Sequence, residues 1–357
     1  MIDPLTKIKP AVRAIAAYTL PPYRAGIKVN QNENPFDMPA EIKEEVSRRL
    51  RTRPWARYPD FVPAELLNRL AAFAGWTPEG TLAGNGSNEL IQAVLAVTVG
   101  AGVKVVIPEP TFTLYRQLVT VFDGEAVAVP LTSELTFDVP AILAKASESR
   151  ANVVILCSPN NPTGCKIDDA DLLKLASEFE GIIVVDEAYH EFARHSVVPL
   201  LHNLPNLIVL RTFSKAMAMA GLRVGYLLAS PRLTREIHKA TLPYNLNFVS
   251  ITATEVACER FDLLKPQIET IISERDRLVP AIGKIPGLSP VRSAANFFLV
   301  RTPLAPRLLF DRLLERDILV RDVSRYPMLS DYIRLSIGSP EENDRILGAL
   351  KEVMADV

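Results

Sequence analysis

One lysine lies between small hydroxyl residues and an arginine, after an apolar stretch of sequence. Thr212 and Ser214 precede Lys215, and Arg223 follows it eight positions later. A lysine amine can condense with an aldehyde as a Schiff base, while hydroxyls, backbone N–H groups and a guanidinium hold a phosphate. The pattern therefore indicates a seat for an aldehyde cofactor that carries a phosphate. The alternative is an ordinary solvated lysine, which is what most lysines are.

Two more polar side chains follow apolar strands. A short β-branched run over residues 181–186 ends at Asp186, and the strand predicted over 152–157 enters a proline-containing turn with Asn161. Ligands of open α/β sheets collect outside the carboxyl ends of the strands, so we expect both side chains and Lys215 to share one crevice. A carboxylate there can keep the nitrogen of a pyridine-type ring protonated. The alternative is that Asp186 only caps the next element.

A glycine-containing segment precedes a predicted helix. Residues 82–89 leave a short strand and enter a helix predicted through Val99, and Gly86 lies at the turn. Free backbone N–H groups at a helix start face an anion favourably. The third glycine of a dinucleotide fingerprint is missing, so the segment is weak support for NAD. A plain turn is the alternative interpretation.

These segments together resemble the fold-type I pyridoxal-phosphate enzymes, specifically the class I and II aminotransferases. The similarity extends from residues 30–35 to residues 332–338. It implies an α/β fold, the PLP-dependent transferase fold type I, with a large domain built on a mainly parallel seven-stranded sheet and a small α+β domain. The division we expect is an N-terminal arm at 1–29 that packs with the small domain, a large cofactor-binding domain at 30–245 and a small C-terminal domain at 246–357.

The resemblance assigns roles within the expected site. It implies that Lys215 holds pyridoxal 5'-phosphate covalently, that Asp186 pairs with the pyridine nitrogen, and that Tyr189 and Asn161 contact the ring hydroxyl. Lys215, Asp186 and Tyr189 are the expected catalytic residues. The other cofactor-binding residues that it implies are Gly86, Ser87, Asn88, Phe112, Thr212, Ser214, Arg223 and Tyr58.

Two aromatic positions carry specific expectations. Phe112 matches the residue that stacks on the cofactor ring, where many relatives have a tyrosine; phenylalanine keeps the stacking face and loses a hydroxyl. Tyr58 matches a residue that reaches the cofactor phosphate of the neighbouring subunit. The resemblance therefore implies a homodimer with shared sites, although Tyr58 could instead be packed against its own helix.

Two arginines are the main candidates for binding the substrate. Arg321 and Arg334 lie on predicted strands, so both can point at one anionic group; either could also be a solvated edge charge. By resemblance, Arg334 grips the glutamate carboxylate or a substrate phosphate, and Arg321 and Tyr18 assist with the phosphate. This set suits a phosphate monoester.

The most similar branch of the family transfers an amino group from histidinol phosphate to 2-oxoglutarate, which gives imidazole acetol phosphate and glutamate in histidine biosynthesis. A threonine-phosphate decarboxylase would use the same lysine, aspartate and arginines, since the angle of a Cα bond to the ring decides which bond breaks. An aromatic amino-acid aminotransferase is a further alternative. A ligand-sensing regulator is not expected, because the resemblance leaves no room for an added DNA-binding domain.

Composition narrows the remaining classes. Forty basic and 41 acidic residues leave a net charge of −1, so no basic field recruits nucleic acid or an anionic membrane. Three cysteines without a C-x-x-C pair, and no signal peptide, favour a reducing, cytoplasmic location. The four histidines lack metal-ligand spacing. Helices and strands alternate from about Leu66 to Ala229, which predicts a parallel sheet flanked by helices, and a long helical stretch is expected from Pro243 to about Pro280.

Overall fold

The structure, a computed structural model, describes residues 3–19 and 21–355. The strands are β1 (Ile27–Lys28), β2 (Thr81–Gly84), β3 (Lys104–Glu109), β4 (Glu125–Pro130), β5 (Val153–Cys157), β6 (Ile182–Asp186), β7 (Leu207–Thr212), β8 (Gly225–Ala229), β9 (Ser289–Pro290), β10 (Phe297–Arg301), β11 (Ile318–Leu319), β12 (Arg321–Asp322) and β13 (Tyr332–Ser336).

The α-helices are α1 (Pro10–Arg13), α2 (Ala40–Arg51), α3 (Ala64–Ala74), α4 (Ser87–Thr98), α5 (Leu114–Val121), α6 (Val139–Ser149), α7 (Asp169–Glu178), α8 (His190–Ala193), α9 (Pro231–His238), α10 (Phe248–Glu259), α11 (Lys265–Ile282), α12 (Pro306–Leu314) and α13 (Pro340–Ala355). Short 3-10 helices span Pro4–Lys7, Pro78–Gly80, Val198–His202, Ala220–Leu222 and Phe261–Leu263.

Seven strands form the central sheet in the order β2-β8-β7-β6-β5-β3-β4. Neighbouring strands are parallel except at β8, which is antiparallel to both β2 and β7. The predicted mainly parallel seven-stranded sheet is therefore confirmed.

The three middle strands, β5, β6 and β7, are mostly apolar because both faces of the sheet are covered. In β5, Val154 and Leu156 pack into one core cluster, whereas Val153 and Ile155 pack into another on the opposite face. Successive side chains of a strand point to opposite faces, so a strand buried on both sides lacks the polar alternation of a surface strand. The short apolar runs in the sequence therefore predicted these strands correctly.

A second sheet is antiparallel and has the order β12-β13-β10-β9. It packs with α11, α12 and α13 around a separate cluster that includes Phe297 and Leu350. Ile27 and Val29 belong to this cluster, and β1 pairs with β11, so the chain just before residue 30 packs against the C-terminal part. A parallel-sheet α/β unit and an α+β unit are thus both present, as the fold class requires.

The helical stretch expected from Pro243 to about Pro280 is two helices rather than one. Helix α10 packs on α2 and α3 of the first unit, whereas α11 packs on α8 and α13. The chain turns at Phe261–Leu263, and Pro266 lies in the first turn of α11, where proline is compatible with a helix. The domain division at residue 245 stays a prediction; Leu246 and Val256 pack with the large-unit cluster.

Two kinds of feature are absent from the described residues. Residues 3–19 and 21–355 contain no helix that is both long and apolar enough to cross a membrane. Within the same ranges, no group of three or more histidine, cysteine or acidic residues is arranged to hold a metal ion.

A buried ion pair fixes the chain beyond β6 to the neighbouring strand. Arg211 Nε donates to Glu187 Oε2 over 2.9 Å, and the guanidinium also bonds Ser196 Oγ and Tyr226 Oη. The other Glu187 oxygen accepts the backbone N–H of Val197 over 2.6 Å. Both charged side chains are almost fully buried. A buried charge left without its partner is strongly destabilising, so each depends on the other.

We predict that Glu187→Ala lowers the free energy of unfolding by about 3–5 kcal/mol, because it leaves the Arg211 guanidinium buried and uncompensated. The double variant Glu187→Met/Arg211→Met should recover most of that loss. Urea unfolding of the apoprotein followed by circular dichroism measures both. The control is Glu148→Ala, which breaks an exposed pair with Lys145 and should cost less than about 1 kcal/mol. Equal losses in Glu187→Ala and the double variant would contradict the role of the pair.

Candidate active site

The carboxyl ends of β5, β6 and β7 lie side by side and bring the predicted residues together. Cys157 is in register with Asp186, and Asp186 with Leu210. A cavity of about 320 Å³ opens at these strand ends, between the two units. The predicted site residues that line it are Tyr18, Ser87, Asn88, Phe112, Asn161, Asp186, Tyr189, Thr212, Ser214, Lys215, Arg223, Arg321 and Arg334.

Lys215 projects into this cavity from the turn after β7. Its Nζ donates to the backbone carbonyl of Gln31 over 2.8 Å and lies 5.9 Å from the centre of the Tyr189 ring. Burial, together with the nearby Arg334 and Arg223 charges, lowers the pKa of Lys215 from 10.5 to about 8. At pH 7 about a tenth of this amine is therefore uncharged and nucleophilic.

Asp186 is buried at the end of β6 and forms no ion pair within the part of the chain that the structure describes. Burial raises the pKa of its carboxyl from 3.8 to about 6, against the hydrogen bonds from Tyr115 and Ala188 that favour the anion. The Tyr115 hydroxyl donates to Oδ2 over 2.7 Å, and the Ala188 N–H donates to Oδ1 over 3.1 Å. Two neutral donors thus hold the carboxylate at the floor of the cavity, where it can pair with a cation.

Tyr189 and Asn161 are held by side chains from the far side of the cavity. Asn32 Nδ2 donates to the Tyr189 hydroxyl over 3.0 Å, and Ser336 Oγ donates to Asn32 Oδ1 over 2.8 Å. Asn161 Oδ1 accepts a 2.5 Å bond from Arg334 Nη1. With its oxygen engaged in this way, the Asn161 amide presents its N–H donors elsewhere.

A cup for an anion lies at the start of α4. Arg223 Nη1 donates to Ser214 Oγ over 3.0 Å, and Thr212 Oγ1 lies 3.0 Å from the same oxygen. Ser87 opens the helix, and no side chain caps its first turn. Gly86 has a positive φ of 78°, and a Cβ there would lie 2.3 Å from Arg223 Nη2, so only glycine lets the guanidinium approach.

The two predicted substrate arginines face each other across a strand pair. Arg321 of β12 is the register partner of Arg334 of β13. Arg334 is buried, donates to the Asn30 carbonyl over 2.7 Å, and leaves its Nε without a partner. Burial lowers the pKa of Arg334, and the Arg321 charge acts in the same direction. Tyr18 lines the same part of the cavity.

Two predicted aromatics differ in position. The Phe112 ring lines the cavity between Tyr18 and Tyr115, edge-on to both. Tyr58 does not line it: the side chain is 81% exposed and stacks on Tyr244 with 4.5 Å between ring centres. Packing against its own helix, the alternative for Tyr58, is not what the structure shows. Its predicted contact with a neighbouring subunit stays a prediction.

Comparison with known proteins identifies the family. The sequence matches the family Aminotransferase class I and II over residues 24–350. It is 40% identical over 351 residues to the histidinol-phosphate aminotransferase of Chlorobium phaeovibrioides. The aligned region covers 98% of this chain and 97% of the relative. The chain belongs to the class I and II aminotransferases. The predicted enzyme class and its cofactor, pyridoxal phosphate, are therefore confirmed.

Solved structures of aminotransferases and their relatives share the fold. The histidinol-phosphate aminotransferase of Sinorhizobium meliloti, solved in complex with pyridoxal-5'-phosphate, has a TM-score of 0.89 at 25% identity, with 98% of each chain covered. The L-threonine-O-3-phosphate decarboxylase of Porphyromonas gingivalis has a TM-score of 0.81 at 21% identity, covering 92% of this chain and 99% of that one. At that identity the decarboxylase shows the fold alone.

The side chains of this aminotransferase fit the cofactor. The space next to Gly86 that a Cβ would fill holds the Arg223 guanidinium, which lies beside uncapped N–H groups and hydroxyls. That donor set suits a phosphate. Lys215 supplies an amine for an aldehyde, and Asp186 supplies a buried anion for a protonated ring nitrogen. An aldehyde, a ring cation and a phosphate are three of the groups that pyridoxal phosphate carries.

Several residues of the site were not predicted from the sequence. Tyr115 bonds Asp186, Asn32 bonds Tyr189, and the Gln31 carbonyl accepts from Lys215. Tyr326 lines the cavity beside the two arginines. Asn32 and Gln31 lie within the segment that carries the family resemblance, which is the one signal that pointed to them. Tyr115 has the pattern of a core residue on an amphipathic helix.

We predict that Lys215 of the apoprotein reacts with an acylating reagent with a midpoint near pH 8. Only the uncharged amine reacts, so the rate should rise about tenfold per pH unit below the midpoint and level off above it. Pulse labelling between pH 6.5 and 10.5, read by peptide mass spectrometry, measures the rate. In the urea-denatured chain the same peptide should show the midpoint of a free lysine, near about 10.4. The same midpoint in folded and denatured protein would exclude the lowered pKa.

Proposed function

We propose that this aminotransferase transfers the amino group of histidinol phosphate to 2-oxoglutarate. One observation carries the proposal, the 40% identity over nearly the full length of a histidinol-phosphate aminotransferase. The paired guanidiniums of Arg321 and Arg334 support it, because two cations beside one cavity suit a phosphate monoester better than an uncharged side chain.

The residues proposed to hold the cofactor act on its separate groups. Lys215 would bind the aldehyde, and Asp186 would pair with the ring nitrogen. Asn161 and Tyr189 would contact the ring hydroxyl, and Phe112 would stack on the ring. The residues that would hold the phosphate are Gly86, Ser87, Asn88, Thr212, Ser214 and Arg223. When bound, pyridoxal phosphate supplies an electron-accepting ring that stabilises negative charge at the substrate Cα.

Lys215 is proposed to carry protons as well as to anchor the cofactor. Once its amine is free and uncharged, Nζ can take the proton from the substrate Cα. The lowered pKa matches this task, since a general base works best with a pKa near the operating pH. The Asp186 carboxylate would hold a proton on the ring nitrogen, which would keep the ring able to accept negative charge.

Arg334 and Arg321 are proposed to select the substrate by its anion. Arg334, Arg321 and Tyr18 line the same cavity, and Arg321 is the register partner of Arg334. A guanidinium can donate two parallel hydrogen bonds to a phosphate or a carboxylate. The same residues can therefore bind histidinol phosphate in one half of the reaction and glutamate in the other.

The decarboxylation alternative has a specific test of its own. A threonine-phosphate decarboxylase would need the same cofactor seat and phosphate-binding arginines, and the chain shares a fold with such an enzyme. Transamination breaks the Cα–H bond, whereas decarboxylation breaks the bond to the carboxylate. Histidinol phosphate has no carboxylate, so turnover of that substrate requires the first reaction.

We predict that histidinol phosphate bleaches the yellow holoenzyme and yields glutamate when 2-oxoglutarate is added. Phosphothreonine should release no carbon dioxide, and phenylalanine should react at least tenfold more slowly, because it offers the two arginines no phosphate monoester. Lys215→Ala and Asp186→Ala should each lower turnover by several orders of magnitude. Absorbance and a coupled glutamate assay measure these effects. Carbon dioxide release from phosphothreonine without glutamate formation would favour the decarboxylase.

We also propose that two copies of the chain form a homodimer through an aromatic patch, defined here as Trp55, Tyr58, Phe61, Leu242 and Tyr244. These side chains are between 42% and 81% exposed. A cluster of large, exposed apolar side chains marks an interaction surface. The patch includes the tyrosine that the resemblance sends to the neighbouring site. The three free cysteines support a cytoplasmic location, since stable disulfides are rare there.

A mixed dimer tests whether Tyr58 completes the site of its partner. We predict that Tyr58→Ala and Lys215→Ala are each poorly active alone and that remixing after mild dissociation restores activity. Half of the random dimers carry both variants, and one of their two sites is then intact, so up to about a quarter of wild-type turnover should return. If Tyr58 acted in its own subunit, the mixture would only average the two parents. Light scattering checks the dimer mass.

A further inference from the structure

The side chain that donates to the Asp186 carboxylate lies on α5. This helix packs on one face of the central sheet, in the smaller of the two core clusters of the large unit. Tyr115 is fully buried there among apolar residues such as Val119 and Leu90. Its hydroxyl nevertheless needs a hydrogen-bond partner, and Asp186 Oδ2 at 2.7 Å is the one it has.

We propose that Tyr115 is a positioning residue that keeps Asp186 ionised and aimed at the cofactor ring nitrogen. This inference rests on the proposed function. The hydroxyl of Tyr115 and the N–H of Ala188 each occupy one carboxylate oxygen, on different atoms. Two fixed donors define the plane of the carboxylate, and its remaining lone pairs face the cavity that Asp186 lines.

The other polar groups near Asp186 do not share this task. Cys157 is its register partner on β5, but the thiol donates to the Pro159 carbonyl. The Glu187 carboxylate is engaged by Arg211, and the Tyr189 hydroxyl is bonded by Asn32. Among residues 3–19 and 21–355, Tyr115 is therefore the side chain that donates to Asp186.

The ring of Tyr115 packs against the ring that is proposed to cover the cofactor. Phe112 and Tyr115 are three positions apart across the start of α5 and pack edge to face, with 5.5 Å between ring centres. The two aromatics thus place a stacking surface and a hydrogen-bond donor on neighbouring parts of one segment. A change at Tyr115 that removes only the hydroxyl keeps this packing and isolates the bond to Asp186.

The bond has a predictable effect on titration. Burial raises the pKa of Asp186 to about 6, and hydrogen bonding from Tyr115 opposes that rise. A bond to a charged group is worth enough to move a pKa by about one unit or more. Loss of the hydroxyl should therefore push the midpoint from about 6 to about 7 or above. A protonated Asp186 cannot pair with a protonated ring nitrogen.

The variant is Tyr115→Phe, and the first readout is the dissociation constant of pyridoxal phosphate from the apoprotein between pH 5.5 and 8.5. Fluorescence quenching measures it without turnover. In the variant, the acid-side loss of affinity should begin about one pH unit higher, and binding at pH 6 should be about fivefold weaker than in wild type. The control is Tyr226→Phe, which removes the hydroxyl of another buried tyrosine, one that accepts from Arg211. It should leave the midpoint unmoved.

The second readout is thermal unfolding of the apoproteins at pH 5 and pH 8. The folded carboxyl has a pKa above its unfolded value, so folding disfavours the anion, and the variant disfavours it further. The extra loss of stability should therefore be small at pH 5 and grow as the pH rises through 6. At pH 8 it should lower the Tm by about 2 °C for a chain of this length.

A double-mutant cycle with Asp186→Asn keeps the test sharp if the single variant folds poorly. In the Asp186→Asn background, Tyr115→Phe should change the Tm by the same amount at both pH values, because the titrating group is gone. A loss that is equal at pH 5 and pH 8 with Asp186 present, or an unmoved midpoint for cofactor binding, overturns the inference. A wild-type chain that binds no pyridoxal phosphate would instead sink the proposed function, while the stability cycle would still report on the bond.

Discussion

Two adjacent buried carboxylates at the end of β6 are the constraint around which the site is arranged. Asp186 and Glu187 are 3% and 1% exposed, and side chains of successive strand residues point to opposite faces. Glu187 meets the Arg211 guanidinium on its side, which satisfies it internally. Asp186 meets only neutral donors from Tyr115 and Ala188. The Glu187 charge is neutralised within the fold, and the Asp186 charge remains free to pair with a ligand cation.

The ends of the central strands could be predicted from the sequence because those strands are buried on both faces. Continuous apolar runs in β5, β6 and β7 could be read directly, and the first polar residue after each run lies at the carboxyl edge of the sheet. Parallel neighbours that end at the same edge of the sheet then bring Asn161, Asp186 and Lys215 together. The placement of Arg321 opposite Arg334 was likewise foreseeable from two predicted strands, although their exact register was not.

The supporting partners could not be predicted, for physical reasons that differ from case to case. Gln31 acts through its backbone carbonyl, which leaves no mark in the sequence. Tyr115 lies on an amphipathic helix, where an aromatic is most simply interpreted as core. Asn32 depends on the approach of the second unit, since Ser336 fixes its amide. The division of the stretch after Pro243 into α10 and α11 follows from packing on two different clusters.

Arg321 and Arg334 place two positive charges at the cavity, which an anionic substrate would neutralise. In the described part of the chain, neither Arg321 nor Arg334 forms an ion pair, and the hydrogen bonds of Arg334 go to neutral oxygens of Asn161 and Asn30. A buried cation without a counterion costs free energy, which an incoming phosphate or carboxylate offsets. A substrate without an anion would leave that cost in place, so discrimination arises from the unpaired charge itself. Because Arg334 also bonds Asn161, the amide proposed to contact the cofactor ring, the substrate anion and the cofactor would be linked through one side chain.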